Sequence, residues 1–241
     1  MTPALQHAVD RAWQEIDGPV PDSHQACTDC CMTPENNARF FRVPRRTMPV
    51  TLLDDWYHAA FGGPASPDLR RYLLPRVFEL LAQGTELGLS VELTLERFET
   101  GRADLWTDRE NAVIAEYEAA LIDAQTAVPS RLGCLDDIFC MFARAGHDMT
   151  RILDRVWAWS DGALVTRLHA DWCHRGGGIW LWHTAFWESD RPGLAKASAQ
   201  VMDWYRSPLL QERCFDICLD ESQSEAVQAM AGQLYDGLLH V

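Results

Sequence analysis

An all-α protein of about ten helices is what this sequence predicts, and three observations predict it. Apolar residues recur at three- and four-residue spacing through most of the chain. Ser, Thr and Pro precede these stripes in the pattern that starts helices. Strand signals are scarce, since Asp17-Gly18 and Asp161-Gly162 fall between helical patterns and not between alternating runs.

Ala4, Ala8, Ala12 and Trp13 mark a first amphipathic helix, closed near Gly18, Pro19 and Pro21. A cysteine-bearing loop follows to Thr33-Pro34-Glu35, which reads as a helix start: a hydroxyl cap, proline in the first turn and an acid at the positive end of the dipole. Ser66-Pro67-Asp68 repeats that grammar ahead of Leu69, Tyr72, Leu73 and Val77, with a kink expected at Pro75 because proline lacks the backbone donor. Thr107 and Glu110 form a capping box before Val113, Tyr117, Leu121 and Ala124.

Stripes then follow at Leu135–Phe142, Met149–Val156 and Leu164–Trp172. Ser207-Pro208 opens a further helix, and a box from Ser222 to Glu225 opens the last, with Val227, Met230, Leu234 and Leu238 on its face. The stretch 176–187 fits either a strand or a helix, and a helix is the expectation because a lone strand would have nothing to pair with. Helix pairs from Leu135 onward suggest stacked antiparallel hairpins, HEAT-like or solenoid-like, although no fixed repeat is visible. At 241 residues the chain is long enough for one sizeable core. We expect a single all-helical domain, with sub-units 1–128 and 129–241.

The formal net charge is −14, divided almost evenly between the two halves. A surface of that sign repels phosphate backbones and anionic lipids, so nucleic acid and membrane are poor partners and a basic protein is the better one. No apolar run is long enough for a membrane span. The N-terminal residues carry acids and an amphipathic pattern, unlike a secretory signal. Eight cysteines without such a signal read as cytoplasmic thiols. The cluster Arg39, Arg42, Arg45 and Arg46 reads as a solvated face balanced by neighbouring acids.

The sharpest chemical cluster is His24, Cys27, Cys30 and Cys31. Thiolates and an imidazole at this spacing suit a tetrahedral zinc site of the structural kind. Adjacent Cys30 and Cys31 seldom bind one ion together, so a redox pair and an ordinary thiol loop stay open as alternatives. Cys134, Cys140, Cys214 and Cys218 lie on helical stripes and read as core thiols. Adjacent Cys173 and His174 point about 100° apart on a helix, a poor arrangement for proton sharing. Gly176–Gly178 lacks the Lys and Ser/Thr of a phosphate loop, and no nucleophile-elbow serine motif occurs.

Trp180, Trp182, His183 and Trp187 crowd one region, and with the acid pair Asp136 and Asp137 they are the expected partner-binding residues. Aromatic side chains with a polar edge dominate binding hot spots, and an acidic rim would hold a basic partner.

The segments Cys27-Thr28-Asp29-Cys30-Cys31-Met32-Thr33-Pro34-Glu35 and Arg71-Tyr72-Leu73-Leu74-Pro75-Arg76-Val77-Phe78-Glu79-Leu80-Leu81 resemble a bacterial family with a cysteine-pair loop, a Pro-Glu helix start and an FLPR(I/L)LELL helix. The resemblance extends through Phe142–Gly146 and implies an all-helical cytosolic bacterial protein, with no activity or catalytic residues to carry over. The function expected is that of a non-catalytic binding protein, most concretely an immunity protein that neutralises a bacterial toxin. The alternatives are a metal- or redox-responsive scaffold using the Cys27–Cys31 loop, and a zinc-dependent enzyme.

Overall fold

Eleven α-helices carry the chain in the computed structural model, which describes residues 1–29, 31–61, 63–173, 179–181 and 183–240. They are α1 (Pro3–Glu15), α2 (Pro34–Arg39), α3 (Val50–His58), α4 (Pro67–Ala82), α5 (Asp108–Ala124), α6 (Leu135–Arg144), α7 (Met149–Trp157), α8 (Asp161–Trp172), α9 (Leu194–Tyr205), α10 (Pro208–Leu219) and α11 (Glu225–Leu238). Among the described residues there is no strand, only two isolated bridges, Ala26 with Phe61 and Cys173 with Ile179. The chain is all-α, as its periodicity predicts.

Local capping explains where these helices begin. The side chains of Thr2, Thr33, Ser66, Ser207 and Ser224 each accept a first-turn N–H of α1, α2, α4, α10 and α11. Thr107 and Glu110 cap α5 reciprocally: Glu110 Oε2 accepts the Thr107 N–H at 2.8 Å, and Thr107 Oγ1 accepts the Glu110 N–H at 3.3 Å. Helix α4 runs through Pro75. Two boundaries differ from expectation. The last helix is capped by Ser224, because Ser222 bonds instead to the Asp220 carboxylate. In α1 the buried face is Leu5, Ala8, Val9, Ala12 and Trp13, and Ala4 is exposed.

Among the described residues of 176–187 the expected helix does not form. Helix α8 ends at Cys173 in extended geometry, and Ile179 bridges back to that residue. Trp180 donates its N–H to the Trp172 carbonyl at 2.9 Å. Among the described residues of this stretch only Ala185–Trp187 is helical, as one 3-10 turn whose N–H at Phe186 bonds Thr184 Oγ1. Residues 174–178 and Trp182 lie outside the described residues. Each glycine costs about 1 kcal/mol in a helix, so the Gly176–Gly178 run opposes the helix that the apolar spacing suggests.

The chain divides into two compact units, Met1–Leu121 with Met141–His147, and Ile122–Cys140 with Asp148–Val241. In the first, three helices form a layer. Arg71 of α4 grips Glu110 of α5 (Nε to Oε1 2.6 Å), and the Phe78 ring stacks on Tyr117 at 3.6 Å, so α4 and α5 run parallel. Glu15 pairs with Arg109 and Arg11 with Glu116, which sets α1 antiparallel to α5.

The second unit holds a comparable layer. Gln211 bonds the Leu238 carbonyl, Phe215 packs on Tyr235, and Gly232 faces Cys218, so α10 and α11 form an antiparallel hairpin. Gly162 faces Val227 and His169 bonds Gln233 at 2.7 Å, which places α8 parallel to α11. Arg213 ties α10 to the start of α8 through Asp161 Oδ1 and the Trp157 and Trp159 carbonyls. Cys140 and Cys214 are buried in the core.

Candidate functional site

The cysteine loop of the first unit is tied down by backbone bonds. The Cys27 N–H reaches the Ala60 carbonyl at 2.9 Å, the Met32 N–H reaches the Cys27 carbonyl, and Cys31 Sγ accepts the Ala60 N–H at 3.4 Å. His24 is buried against Phe40, and both of its ring nitrogens are engaged. Nδ1 accepts the Ala26 N–H at 3.1 Å, and Nε2 pairs with Asn37 Oδ1. A metal at His24 would have to displace one of these bonds. Cys30 lies outside the described residues, and among those described no three His, Cys, Asp or Glu side chains converge on one point. In the arginine cluster Arg39, Arg42 and Arg46 are exposed, as expected of a solvated face, but the Arg45 side chain is only 21% exposed; Arg39 pairs with Glu35, Arg45 with Asp17, and Arg45 and Arg46 lie over the Trp13 ring.

The first unit also holds a cavity of about 290 Å³ bordered by Tyr57, Leu89, Leu93, Glu96, Arg97 and Arg144. Its guanidinium groups are already committed. Arg97 donates to the Trp56, Tyr57 and Ala59 carbonyls at the end of α3, and Arg144 pairs with Glu96 at 2.6 Å.

The second unit brings together three of the residues singled out from the sequence. Asp136 stands in the first turn of α6, where the helix dipole favours an anion, yet it is only 1% exposed. Its Oδ2 accepts the Thr184 N–H at 2.7 Å and the Trp187 Nε1–H at 3.1 Å. Its Oδ1 makes no hydrogen bond, and His183 Nδ1 stands 3.4 Å from it. Burial pushes the Asp136 carboxyl up to about 6, against the pull of the Thr184 N–H, the His183 charge and the Trp187 N–H. The Trp187 ring lies flat against the imidazole, 5.5 Å between centroids and 7° between planes.

Around this carboxylate the start of α6 is wrapped by further acids. Asp137 Oδ2 accepts the Cys134 N–H and thiol, and Asp171 Oδ2 accepts the Leu135 N–H and Arg167 Nε. Arg167 is buried and also donates to the Gly133 carbonyl at 2.7 Å. Asp137 therefore caps a helix. Trp187 is a buried wall and not an exposed anchor, whereas Trp180 is 69% exposed; Trp182 lies outside the described residues.

Sequence reasoning missed what lies on the other side of His183. Nε2 of the imidazole is 3.0 Å from Ser198 Oγ on α9. Ser198, His183 and Asp136 thus stand in a hydroxyl–imidazole–carboxylate line, hydrogen-bonded between Ser198 and His183, with Asp136 Oδ1 3.4 Å beyond the other ring nitrogen. No local motif signals it, because the serine sits in the run Ala195-Lys196-Ala197-Ser198-Ala199. A second relay, also missed, lies in the first unit. His147 Nδ1 bonds Glu118 Oε2, and its Nε2 is 2.8 Å from Thr100 Oγ1.

The other exposed feature of the second unit is the outer face of α10. Leu209 and Leu219 are 65% and 63% exposed, Phe215 is exposed beside them, and Glu212 and Asp216 stand between. Ile179 packs on Gly237 of α11, which brings Trp180 out beside the end of that helix, where Leu239 is also exposed. Among the described residues no helix is long and apolar enough to cross a membrane. No family model, curated protein or solved structure matches the chain.

Proposed function

We propose that the chain is a binding protein whose second unit captures a basic protein, most concretely a cytosolic immunity protein that neutralises a bacterial toxin. The observation that carries this reading is the outer face of α10, where Leu209 and Leu219 are held in water and Phe215, packed on Tyr235, is exposed on its other side, with Glu212 and Asp216 among them. Large apolar groups left in water on one helix face mark an association surface. The acids interleaved with them select a partner with basic groups around an apolar groove, and the net charge of −14 steers such a partner in. Trp180 supplies a large aromatic anchor in the same unit.

The test is capture of the tagged protein's partners from host lysate at low and high salt, beside the variants Leu219→Glu and Leu209→Glu. A stoichiometric basic chain, lost by at least about tenfold in either variant, supports the reading, since a hot-spot truncation exceeds about 1.4 kcal/mol. Co-expression of the captured chain should then be tolerated only with the unmutated protein. Capture that is indifferent to both variants, or an acidic partner, overturns it.

A further inference from the structure

We infer that Ser198 is an activated nucleophile, with His183 as its general base and Asp136 as the positioning carboxylate, at a site that takes the acyl group of an uncharged or cationic ester or thioester. This goes beyond the binding surface of α10 and does not depend on it.

The geometry is what a nucleophile–base–orienter set requires. Ser198 Oγ is 3.0 Å from His183 Nε2, within reach for transfer of its proton. On the far side Nδ1 stands 3.4 Å from Asp136 Oδ1, an atom that makes no hydrogen bond and is left for the imidazole. Such contacts are commonly long without substrate and close when the imidazole becomes cationic. The carboxylate is itself held in place, because the Thr184 N–H and Trp187 Nε1–H both bind its Oδ2 and leave Oδ1 for the histidine. Trp187 stacked on the ring restricts its rotation. The His183 side chain is 30% exposed and Ser198 is half-buried, so the reacting pair can be reached from solvent. Relays of this kind are recognised by geometry and role, not by chain order, and they arise on unrelated folds.

The substrate class follows from charge. Asp136, Asp137 and Asp171 cluster at the start of α6, and Glu188 and Asp190 are exposed just beyond Trp187; against Arg167, paired to Asp171, and Lys196 on α9 the local charge stays negative, so an anionic acyl group is disfavoured. In the reaction, the Ser198 hydroxyl gives its proton to His183 Nε2 as Oγ bonds to the acyl carbon. The departing alkoxide or thiolate then takes that proton from the imidazolium, leaving an acyl-serine. Water, deprotonated by His183, attacks the same carbon, and the proton returns to Ser198 Oγ as the acid leaves.

The experiment is covalent labelling of the full chain with a fluorophosphonate, in which Oγ bonds to phosphorus, fluoride leaves and the proton passes to His183. Intact mass and peptide mapping are the readout. One adduct at Ser198 is expected, absent in Ser198→Ala and formed on the order of 100-fold more slowly in His183→Ala. Asp136→Asn should also slow labelling and flatten its dependence on pH near 6. The titratable groups facing Asp136 that bear on that profile are His183, Asp137 from α6 and Tyr205 from α9, and Tyr205 is faced in turn by Cys134 and by Asp171 from α8. The pH profile of the unmutated chain needs no variant to fold. An adduct elsewhere, no adduct above the Ser198→Ala level, or a Ser198 rate unchanged by loss of His183 overturns the inference, and none of these results touches α10.

Discussion

Each unit contains a hydroxyl, an imidazole and a carboxylate in line, and the two differ in what surrounds them. In the first unit Thr100, His147 and Glu118 are all buried, with the His147 side chain only 2% exposed. Gly101 beside it lies so close to the 145–147 segment that its N–H bonds the Ala145 carbonyl at 2.9 Å. That relay fastens a loop to the segment after α6, and its hydroxyl meets no solvent. In the second unit the carboxylate is equally buried, but the imidazole and the serine open outward. The same three functional groups thus serve as a core fastening in one place and as a reactive pair in the other. Access to the hydroxyl decides which.

The largest effect should come from breaking the buried relay. His147→Ala removes one partner of a buried pair, and we expect a loss of about 3 kcal/mol in urea unfolding. His183→Ala, at the open relay, should cost less, about 1 kcal/mol, because its imidazole is partly in water and makes no hydrogen bond to Asp136. Equal losses in the two would erase the distinction. A Cβ at Gly101 would stand 2.1 Å from the Gly146 carbonyl carbon, so Gly101→Ala should also destabilise, by roughly 2 kcal/mol or more, read as a lowered Tm.

Asp136 sharpens the comparison through pH. Its folded value of about 6 lies above the unfolded one of about 3.9, so its ionisation opposes folding. The protonated form carries no such cost below about pH 4. The destabilisation grows as pH rises toward 6 and is complete above it, where the shift is worth about 3 kcal/mol. Asp136→Asn should therefore raise stability at pH 8 by about 1–3 kcal/mol, and little at pH 4, while impairing Ser198 labelling. A gain that is independent of pH would remove the ionisation argument. Last and smallest, Leu219→Glu should alter stability by no more than about 0.5 kcal/mol, because that side chain is already in water. Its effect belongs to partner capture alone.

Much of this architecture was legible from local signals. The caps at Thr33, Ser66, Thr107 and Ser207 act within one turn of their own backbone, so the residues that make them are neighbours in sequence. Local signals mislead where two of them disagree. Apolar spacing over 179–187 argued for a helix, the glycines before it argued against, and a 3-10 turn capped by Thr184 resulted. Residue type marks Asp136, His183 and Trp187 as an aromatic and acidic grouping on an exposed surface, whereas Asp136 and Trp187 are both buried.

The amino-acid sequence alone determined the helical class, most helix starts and the acidic character, because these depend on contacts within a turn or on simple composition. Tertiary structure alone decided that Ser198 would meet His183, that Asp136 would be buried behind it, and that Thr100 would be closed away beside His147. Such hydrogen bonds join separate elements, and neither a serine among alanines nor a lone histidine announces its partner. Only the packing of α6, α9 and the segment between α8 and α9 brings the partners of Ser198 within reach, and the same packing sets which atoms remain open to water.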